Sequence, residues 1–137
     1  MAQVIHVPCD DIHVDRWVNQ KGKLHSFEHP SVYDVNDDSY AWHSNGVLHR
    51  IDGPALYGLR DEHTYTGDEY FYVWSHHWYI NGTLCKNAEQ FQELSGVSNE
   101  EILRLTLIYG EIGCNCIPPE NYEKWFLKDG KLHRFIR

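Results

Sequence analysis

The chain has 137 residues, a mass of 16.2 kDa and a formal net charge of −8, so its size suits a single domain. Hydrophobic residues make up 42% of the chain, which suits a globular core and argues against global disorder. An acidic chain is a poor ligand for nucleic-acid backbones and anionic membrane surfaces, so we expect neither direct nucleic-acid binding nor membrane association. The sequence also lacks the run of ~18 apolar residues that spans a bilayer.

The first residues and the cysteines bear on the compartment. Residues 1–6 have neither a basic start nor a long apolar run, so they do not resemble a signal peptide. Cysteine occurs at only four positions, too few for a disulfide scaffold at this length. We therefore expect reduced thiols and a cytoplasmic protein. The four positions are Cys9, Cys85, Cys114 and Cys116.

A short pattern recurs along the chain. Four segments share an aromatic residue, a turn dipeptide that ends in glycine and then x-Leu-His, although the third has cysteine in place of histidine. Asn-Gly and Asp-Gly favour the positive φ values of a two-residue type I′ hairpin turn. The turns are predicted at Lys21-Gly22, Asn45-Gly46, Asn81-Gly82 and Asp129-Gly130. The cross-strand pairs that follow are Val18 with His25, Trp42 with His49, Trp78 with Cys85, and Phe126 with His133.

Extended segments and two helices complete the predicted elements. Alternating or aromatic stretches predict strands over 31–35, 40–43, 55–59, 64–66 and 70–74, which would form an antiparallel meander. Asn87 and Ser98 each open a capping-box pattern, which predicts a helix ending near Gly96 and a second from Asn99 to Tyr109.

The fold class predicted is therefore α+β and β-rich. We expect a meander of repeated β-hairpins with a two-helix insert, about 88–109, packed on one face. The whole chain, 1–137, would form one domain. Its parts are hairpin repeats over 15–86, a helical insert over 87–110 and a final hairpin over 122–137.

Residues 42–55, with the pattern W-x3-N-G-x-L-H-R-x-D-G-P-A, resemble a degenerate hairpin repeat of phage and giant-virus proteins that is often labelled MORN-like. The resemblance covers about residues 15–94 and again 122–137. It implies a repeated β-hairpin sheet, a viral or phage origin and residence in the host cytoplasm. It implies no settled activity and supplies no catalytic residues.

Candidate metal and catalytic residues favour ordinary structural roles. Cys114 and Cys116 offer two thiolates, but a zinc site needs a second pair at matching spacing, so free or buried thiols are the simpler interpretation. His76 and His77 precede a hairpin and a helix, as in a ββα-metal nuclease, yet that helix contains no histidine. We therefore predict no enzyme activity, no cofactor and no metal.

Three histidines occupy one position of the repeat. Stacked hairpins would bring them into a ladder able to bind metal or phosphate. The alternative is that each imidazole packs on its cross-strand aromatic residue and hydrogen-bonds locally. We favour the second interpretation, because a repeated residue usually stabilises the repeat itself. The three ladder histidines are His25, His49 and His133.

Aromatic residues are densest over 65–79, and alternation along strands would place them on both faces of a sheet. One face can pack under the helices, while the other is either covered or exposed as a binding surface. Tyr and Trp suit such surfaces because they join an apolar body to a polar group. The candidate binding residues are Trp42, His49, Arg50, Tyr70, Tyr72, Trp74 and Trp78.

The function class predicted is a non-enzymatic viral or phage accessory protein that acts by protein–protein binding to a host protein. In its concrete form, an acidic surface caps the basic site of a host nucleic-acid-handling protein, as a counter-defence inhibitor would. One alternative is a nucleotide or small-ligand sponge, with Trp42, Trp78 and ladder histidines beside Arg50 or Arg134. Another is a self-associating virion or assembly component. The least favoured is a metal-dependent hydrolase using His76 and His77.

Overall fold

The computed structural model describes residues 4–7, 13–36, 38–63, 70–113, 123–128 and 131–136. Side chains are described for these residues other than 59–63, 70–75, 123, 124, 127, 135 and 136. This part of the chain is β-rich, with antiparallel sheets of hairpin type and two helices, which is the predicted α+β class.

The described strands are mostly short. They are β1 (Ile5–Val7), β2 (Val14–Val18), β3 (Val32–Asp34), β4 (Tyr40–Ala41), β5 (His43–Ser44), β6 (Val47–Leu48), β7 (Leu56–His63), β8 (Tyr70–His77), β9 (Tyr79–Ile80), β10 (Thr83–Leu84), β11 (Glu123–Lys128) and β12 (Lys131–Ile136). The helices are α1 (Ala88–Ser95) and α2 (Asn99–Tyr109).

One sheet holds six strands in the order β1-β2-β3-β4-β7-β8, and every neighbouring pair is antiparallel. Three two-stranded ladders accompany it: β5 with β6, β9 with β10, and β11 with β12. Strands lie within or overlap the predicted extended segments 31–35, 40–43, 55–59 and 70–74. The predicted segment 64–66 falls outside the described residues.

The second and third hairpins turn where the sequence predicts. Both residues of Asn45-Gly46 and of Asn81-Gly82 have positive φ, as a type I′ turn requires. The N–H of the ladder residue donates to the carbonyl of the facing tryptophan at 3.0 Å in the second hairpin and 2.8 Å in the third. Trp42 therefore faces His49, and Trp78 faces Cys85, which confirms both predicted pairings.

The final hairpin also keeps its predicted register, because Phe126 pairs with His133 and the two rings stack with centroids 5.4 Å apart. Its predicted turn, 129–130, lies outside the described residues.

The predicted register of the first hairpin is wrong by one residue. Val18 bridges Leu24, and the N–H of His25 donates to the carbonyl of Trp17 at 3.0 Å, so Trp17 rather than Val18 faces the histidine. Asn19 causes the difference: its Oδ1 accepts the N–H groups of residues 21 and 23 at 2.9 and 3.0 Å. This side-chain-closed loop is one residue longer than a type I′ turn.

Both helices begin at the predicted caps. The Oδ1 of Asn87 accepts the N–H of Gln90 at 2.8 Å, and the Oγ of Ser98 accepts the N–H of Glu101 at 3.1 Å. The first helix ends at Gly96, whose φ of 76° is the left-handed conformation that glycine adopts without strain. Neither described helix has the length and apolar character needed to cross a membrane.

The buried side chains form two clusters. The aromatic core consists of Trp17, Tyr33, Tyr40, Trp42, Ala55, Tyr57 and Trp125. The helical core consists of Trp78, Ile80, Cys85, Phe91, Leu105, Tyr109 and Ile112.

The hydroxyl of Tyr109 connects the helical core to the hairpins. It accepts a hydrogen bond from Nη2 of Arg50 at 3.3 Å and another from Nη2 of Arg134 at 3.0 Å. One phenol at the end of α2 is thereby tied to both the second and the final hairpin.

Candidate functional site

Successive hairpins are joined by the same pair of hydrogen bonds. At the first junction, the N–H of Asn45 donates to Nδ1 of His25 at 3.0 Å, and the N–H of Gly46 donates to the carbonyl of Leu24 at 2.8 Å. Each ladder histidine at such a junction caps the turn of the hairpin that follows it.

The second junction repeats this arrangement. Asn81 N–H donates to His49 Nδ1 at 2.9 Å, and Gly82 N–H donates to the carbonyl of Leu48 at 2.7 Å. His25 and His49 thus join neighbouring hairpins, whereas the sequence predicted local hydrogen bonds. The ring of His133 stacks on its cross-strand partner Phe126, as the sequence predicted. Cysteine replaces histidine in the third hairpin, where Cys85 is buried in the helical core.

Arg50 is buried, with 2% of its surface exposed, and it uses its guanidinium inside the protein. Its Nε donates to Asp52 Oδ1 at 2.8 Å and its Nη1 to the carbonyl of Pro54 at 3.1 Å. The guanidinium carbon lies 4.1 Å from the ring centroid of Trp42, a cation–π contact. A Cβ on Gly53 would lie 2.5 Å from that carbon. The Arg-x-Asp-Gly-Pro string therefore encodes a turn closed around a buried arginine.

Three of the seven candidate binding residues meet in one place. Trp42, His49 and Arg50 line a groove of about 550 Å³ between the first and second hairpins, which we call the hairpin groove. His25 and His43 also line it. The Nδ1 of His43 lies 2.7 Å from the hydroxyl of Ser31. Burial lowers the pKa of both His43 and His49, which favours neutral imidazoles in the groove.

The mouth of the groove combines apolar and acidic side chains. Phe27 and Ile51 both line it, and they are 52% and 50% exposed. Glu28 and Asp52 follow them in the sequence and also line the groove. Exposed hydrophobic groups of this size next to carboxylates form an acidic, apolar surface.

Two residues of the groove lining each carry a buried nitrogen atom. Among the described residues, Nε2 of His25 and Nε1 of Trp42 are buried and meet no hydrogen-bond partner. Buried polar groups are paired in the large majority of cases. Within the described residues, Nε1 of Trp125 is also buried without a partner, so such atoms are not confined to the groove.

The groove is built from two copies of one repeat segment. His25, Phe27 and Glu28 in the first copy occupy the positions of His49, Ile51 and Asp52 in the second. The seven candidate binding residues predicted from the sequence do not include His25, Phe27, His43 or Ile51, although His25 is one of the ladder histidines of the small-ligand alternative. Alignment of the repeats contains the signal that would have found three of them, because equivalent positions of stacked units fall side by side.

Of the remaining four candidate residues, only Trp78 has a described side chain. Trp78 is 1% exposed in the helical core, where its ring meets Phe91 edge-on with centroids 5.1 Å apart. Tyr70, Tyr72 and Trp74 alternate along β8, and their side chains are outside the described set. The structure therefore keeps Trp78 out of the hairpin groove.

The histidine pair and the cysteines give no metal site within the described residues. His76 is buried between the rings of Tyr57 and Tyr109, with centroids at 5.0 and 5.6 Å. Cys114 and Cys116 lie outside the described residues. In the part of the chain that the structure describes, no group of three or more His, Cys, Asp or Glu side chains could hold a metal ion.

No family model, curated protein or solved structure matches this chain.

Proposed function

We propose that this chain is a non-enzymatic binding protein and that its binding site is the hairpin groove. One observation carries the proposal: the duplicated repeat segment presents Phe27 and Ile51, both half-exposed, beside Glu28 and Asp52 at the mouth of one groove. Exposed large hydrophobic residues grouped around a concavity usually mark a binding surface.

The partner we propose is a host protein with a basic surface. The net charge of −8 would attract such a partner, and the carboxylate of Glu28 at the groove mouth would face its cations, whereas that of Asp52 is paired with Arg50. With the resemblance to MORN-like phage repeats, this supports a viral accessory protein of the host cytoplasm, such as a counter-defence inhibitor.

The finer fold that we propose is a stack of repeated hairpins with the helices packed on one side. In support, the two junctions use equivalent atoms of the repeat, the histidine Nδ1 and the leucine carbonyl. Phe91 of α1 and Leu105 of α2 are fully buried in the cluster that contains Trp78.

A small-ligand binder is the second candidate function, and the size of the groove favours it. Its volume of about 550 Å³ lies within the range of ~300–1,000 Å³ typical of small-molecule sites. The contact to phosphate that the sequence suggested for Arg50 has no support, because that guanidinium donates to Asp52, Pro54 and Tyr109.

Capture from a bacterial lysate tests the protein-binding form. We expect the immobilised wild-type chain to retain a host protein that salt releases, because charge attraction between exposed groups is screened. Ile51→Glu, at the groove mouth, should abolish this retention.

Leu107→Glu is the matched control, because Leu107 is 75% exposed on α2 and does not line the groove. It should capture the same protein as the wild type. Equal capture by the Ile51→Glu variant would overturn the proposed site.

A further inference from the structure

We infer that the chain forms a two-fold symmetric dimer through the face of the six-stranded sheet that points away from the aromatic core, which we call the outer face. The partner is a second copy of this chain. The outer face shares no residue with the hairpin groove, so the inference goes beyond the proposed function.

The register of the sheet fixes which residues share the outer face. Residues paired directly across antiparallel strands lie on the same face, and successive residues of one strand alternate between faces. Asp15, Tyr33, Tyr40 and Tyr57 are paired in this order across four strands, and all four are buried on the inner face. Their neighbours in sequence therefore lie on the outer face. Its larger aliphatic residues are Ile5, Val7, Val14, Val18, Val32 and Leu56.

The outer face is apolar, although an antiparallel sheet with one face on a core usually carries polar residues on the other. Ile5 and Val7 are 43% and 40% exposed, and the other four aliphatic residues are partly exposed. In the described part of the chain, none of the six belongs to the aromatic core or the helical core. An apolar patch of this kind marks an interaction surface.

The charges on the outer face favour a second copy as the partner. Arg16 on β2 and Asp34 on β3 are diagonal neighbours there, because Arg16 pairs with Val32 and Asp34 pairs with Val14. Within the described residues, Arg16 and Asp34 form no ion pair with each other. One cation beside one anion gives no net attraction for a basic or an acidic partner. The two charges do complement an identical pair turned by a two-fold axis.

A two-fold axis along the gap between β2 and β3 would place β2 of each copy over β3 of the other. Arg16 then lies above the strand that carries Asp34 of the other copy. Sheets that pack face to face are about 10 Å apart, and the long side chain of arginine can cross much of that gap. Because the interface is isologous, both ion pairs form at once.

The shape of the outer face is self-complementary about the same axis. Val32, Ala41 and Leu56 line a shallow depression of about 300 Å³ over β3, β4 and β7. The axis places β1 over β4 of the other copy, so the exposed side chains of Ile5 and Val7 lie next to this depression. Their burial there would supply the apolar part of the interface.

The dimer should be weak and reversible. Six aliphatic side chains make a small surface beside obligate dimer interfaces, which bury roughly 2,000 Å² or more. The net charge of −8 on each copy opposes association, although physiological salt screens charges that are more than about 8 Å apart. We therefore expect the dimer population to rise with protein concentration.

Sedimentation velocity of the full chain between about 10 μM and 1 mM tests the inference. The wild type should move from 16.2 kDa toward twice that mass as the concentration rises. Arg16→Asp and Asp34→Arg each bring like charges together across the axis, so each should weaken association about tenfold. The double variant restores opposite charges and should recover most of the loss.

Val7→Lys tests the apolar part of the interface without changing Arg16 or Asp34. Val7 is exposed at the sheet edge, so the variant should fold, and it should weaken association about tenfold. Leu107→Lys is the matched control, because Leu107 is 75% exposed on α2 and should associate like the wild type. Circular dichroism verifies that each variant is folded.

The inference is overturned if the wild type stays at 16.2 kDa up to about 1 mM. It is also overturned if Arg16→Asp and Val7→Lys both associate like the wild type, or if a folded double variant associates no better than the single variants. Where the Asp34 variants do not fold, Arg16→Asp and Val7→Lys decide the result. A host protein captured through Ile51 would leave each of these outcomes unchanged.

Discussion

The aromatic core and the helical core are stabilised in different ways. In the aromatic core, rings surround buried polar groups: the hydroxyl of Tyr33 donates to the carbonyl of Trp125 at 2.7 Å, and Arg50 lies against Trp42. In the helical core, Phe91 and Leu105 are fully buried with Trp78, and these apolar side chains stabilise the core through close packing alone. Losing a side chain leaves polar atoms unpaired in the first core and a cavity in the second.

The largest effect is expected in the aromatic core. Arg50→Ala should lower the free energy of unfolding by about 4 kcal/mol, because it leaves the buried carbonyl of Pro54 without its donor, removes one of the two donors to the Tyr109 hydroxyl and opens a void beside Trp42. Arg50→Lys should not restore stability, since an ammonium cannot reproduce the guanidinium geometry.

Urea denaturation measures this change, with Arg104→Ala as the control. Arg104 forms an exposed ion pair with Glu101, so its loss should cost less than about 1 kcal/mol. Similar losses for the two arginine variants would show that Arg50 does not stabilise the aromatic core.

Substitutions in the helical core should lower the free energy of unfolding only through the side-chain volume that they remove. Leu105→Ala should lower the free energy of unfolding by about 3 kcal/mol, because it leaves a cavity under α2. Leu107→Ala, on the exposed side of the same helix, should change it by no more than about 0.5 kcal/mol. Thermal denaturation of the two variants checks this prediction, and equal melting temperatures would contradict the assigned helical core.

Two glycines test how tightly the turn closes around Arg50. Gly53→Ala should cost about 2 kcal/mol, because the added Cβ would lie 2.5 Å from the guanidinium carbon and force it to move. At Gly58 a Cβ would meet nothing within 4 Å, so Gly58→Ala should be neutral or slightly stabilising. Chemical denaturation of both variants checks this, and equal stabilities would contradict the close contact.

The smallest effect concerns the pH dependence of stability. Burial lowers the pKa values of His29, His43 and His49 below 6.5, so the unfolded chain binds protons more readily than the folded chain. The contribution of these three histidines to the free energy of unfolding is complete above pH 6.5. It is lost as the pH falls from there toward their pKa values in the folded chain.

His49→Asn separates the cap from this titration. An Asn Oδ1 can still accept the Asn81 N–H, while one titrating group is gone, so the fall in melting temperature below pH 6.5 should become shallower but persist. A melting temperature that rose on acidification would contradict the assigned direction.

Local signals in the sequence were enough to predict the helices and the Asn-Gly turns. Ser98 and Gly110 mark the ends of α2 in the sequence, and positive φ at Asn45 and Asn81 follows from residue type. The register of the first hairpin was missed because the side chain of Asn19 accepts two backbone N–H groups of its own loop, a local contact that competes with the generic turn rule.

The site was only partly predictable for a related reason. The sequence suggested that Arg50 binds a ligand as a cation. Its acceptor, the hydroxyl of Tyr109, lies 59 positions away in the sequence, and no local pattern predicts a contact at that distance. Trp78 looked like a surface residue because the helices that bury it follow later in the chain. The groove forms between two neighbouring repeat units, so the pattern within a single unit does not predict it.

The hydrogen bond between Tyr33 and Trp125 joins residues 92 positions apart, and the ring of Trp125 meets that of Trp42 edge-on. Contacts this distant in sequence close slowly, because a long stretch of chain must first be ordered between them. During synthesis the early hairpins would leave the ribosome with one side of their tryptophans uncovered, a surface that chaperones recognise. The aromatic core can therefore be completed only after Trp125 has been translated.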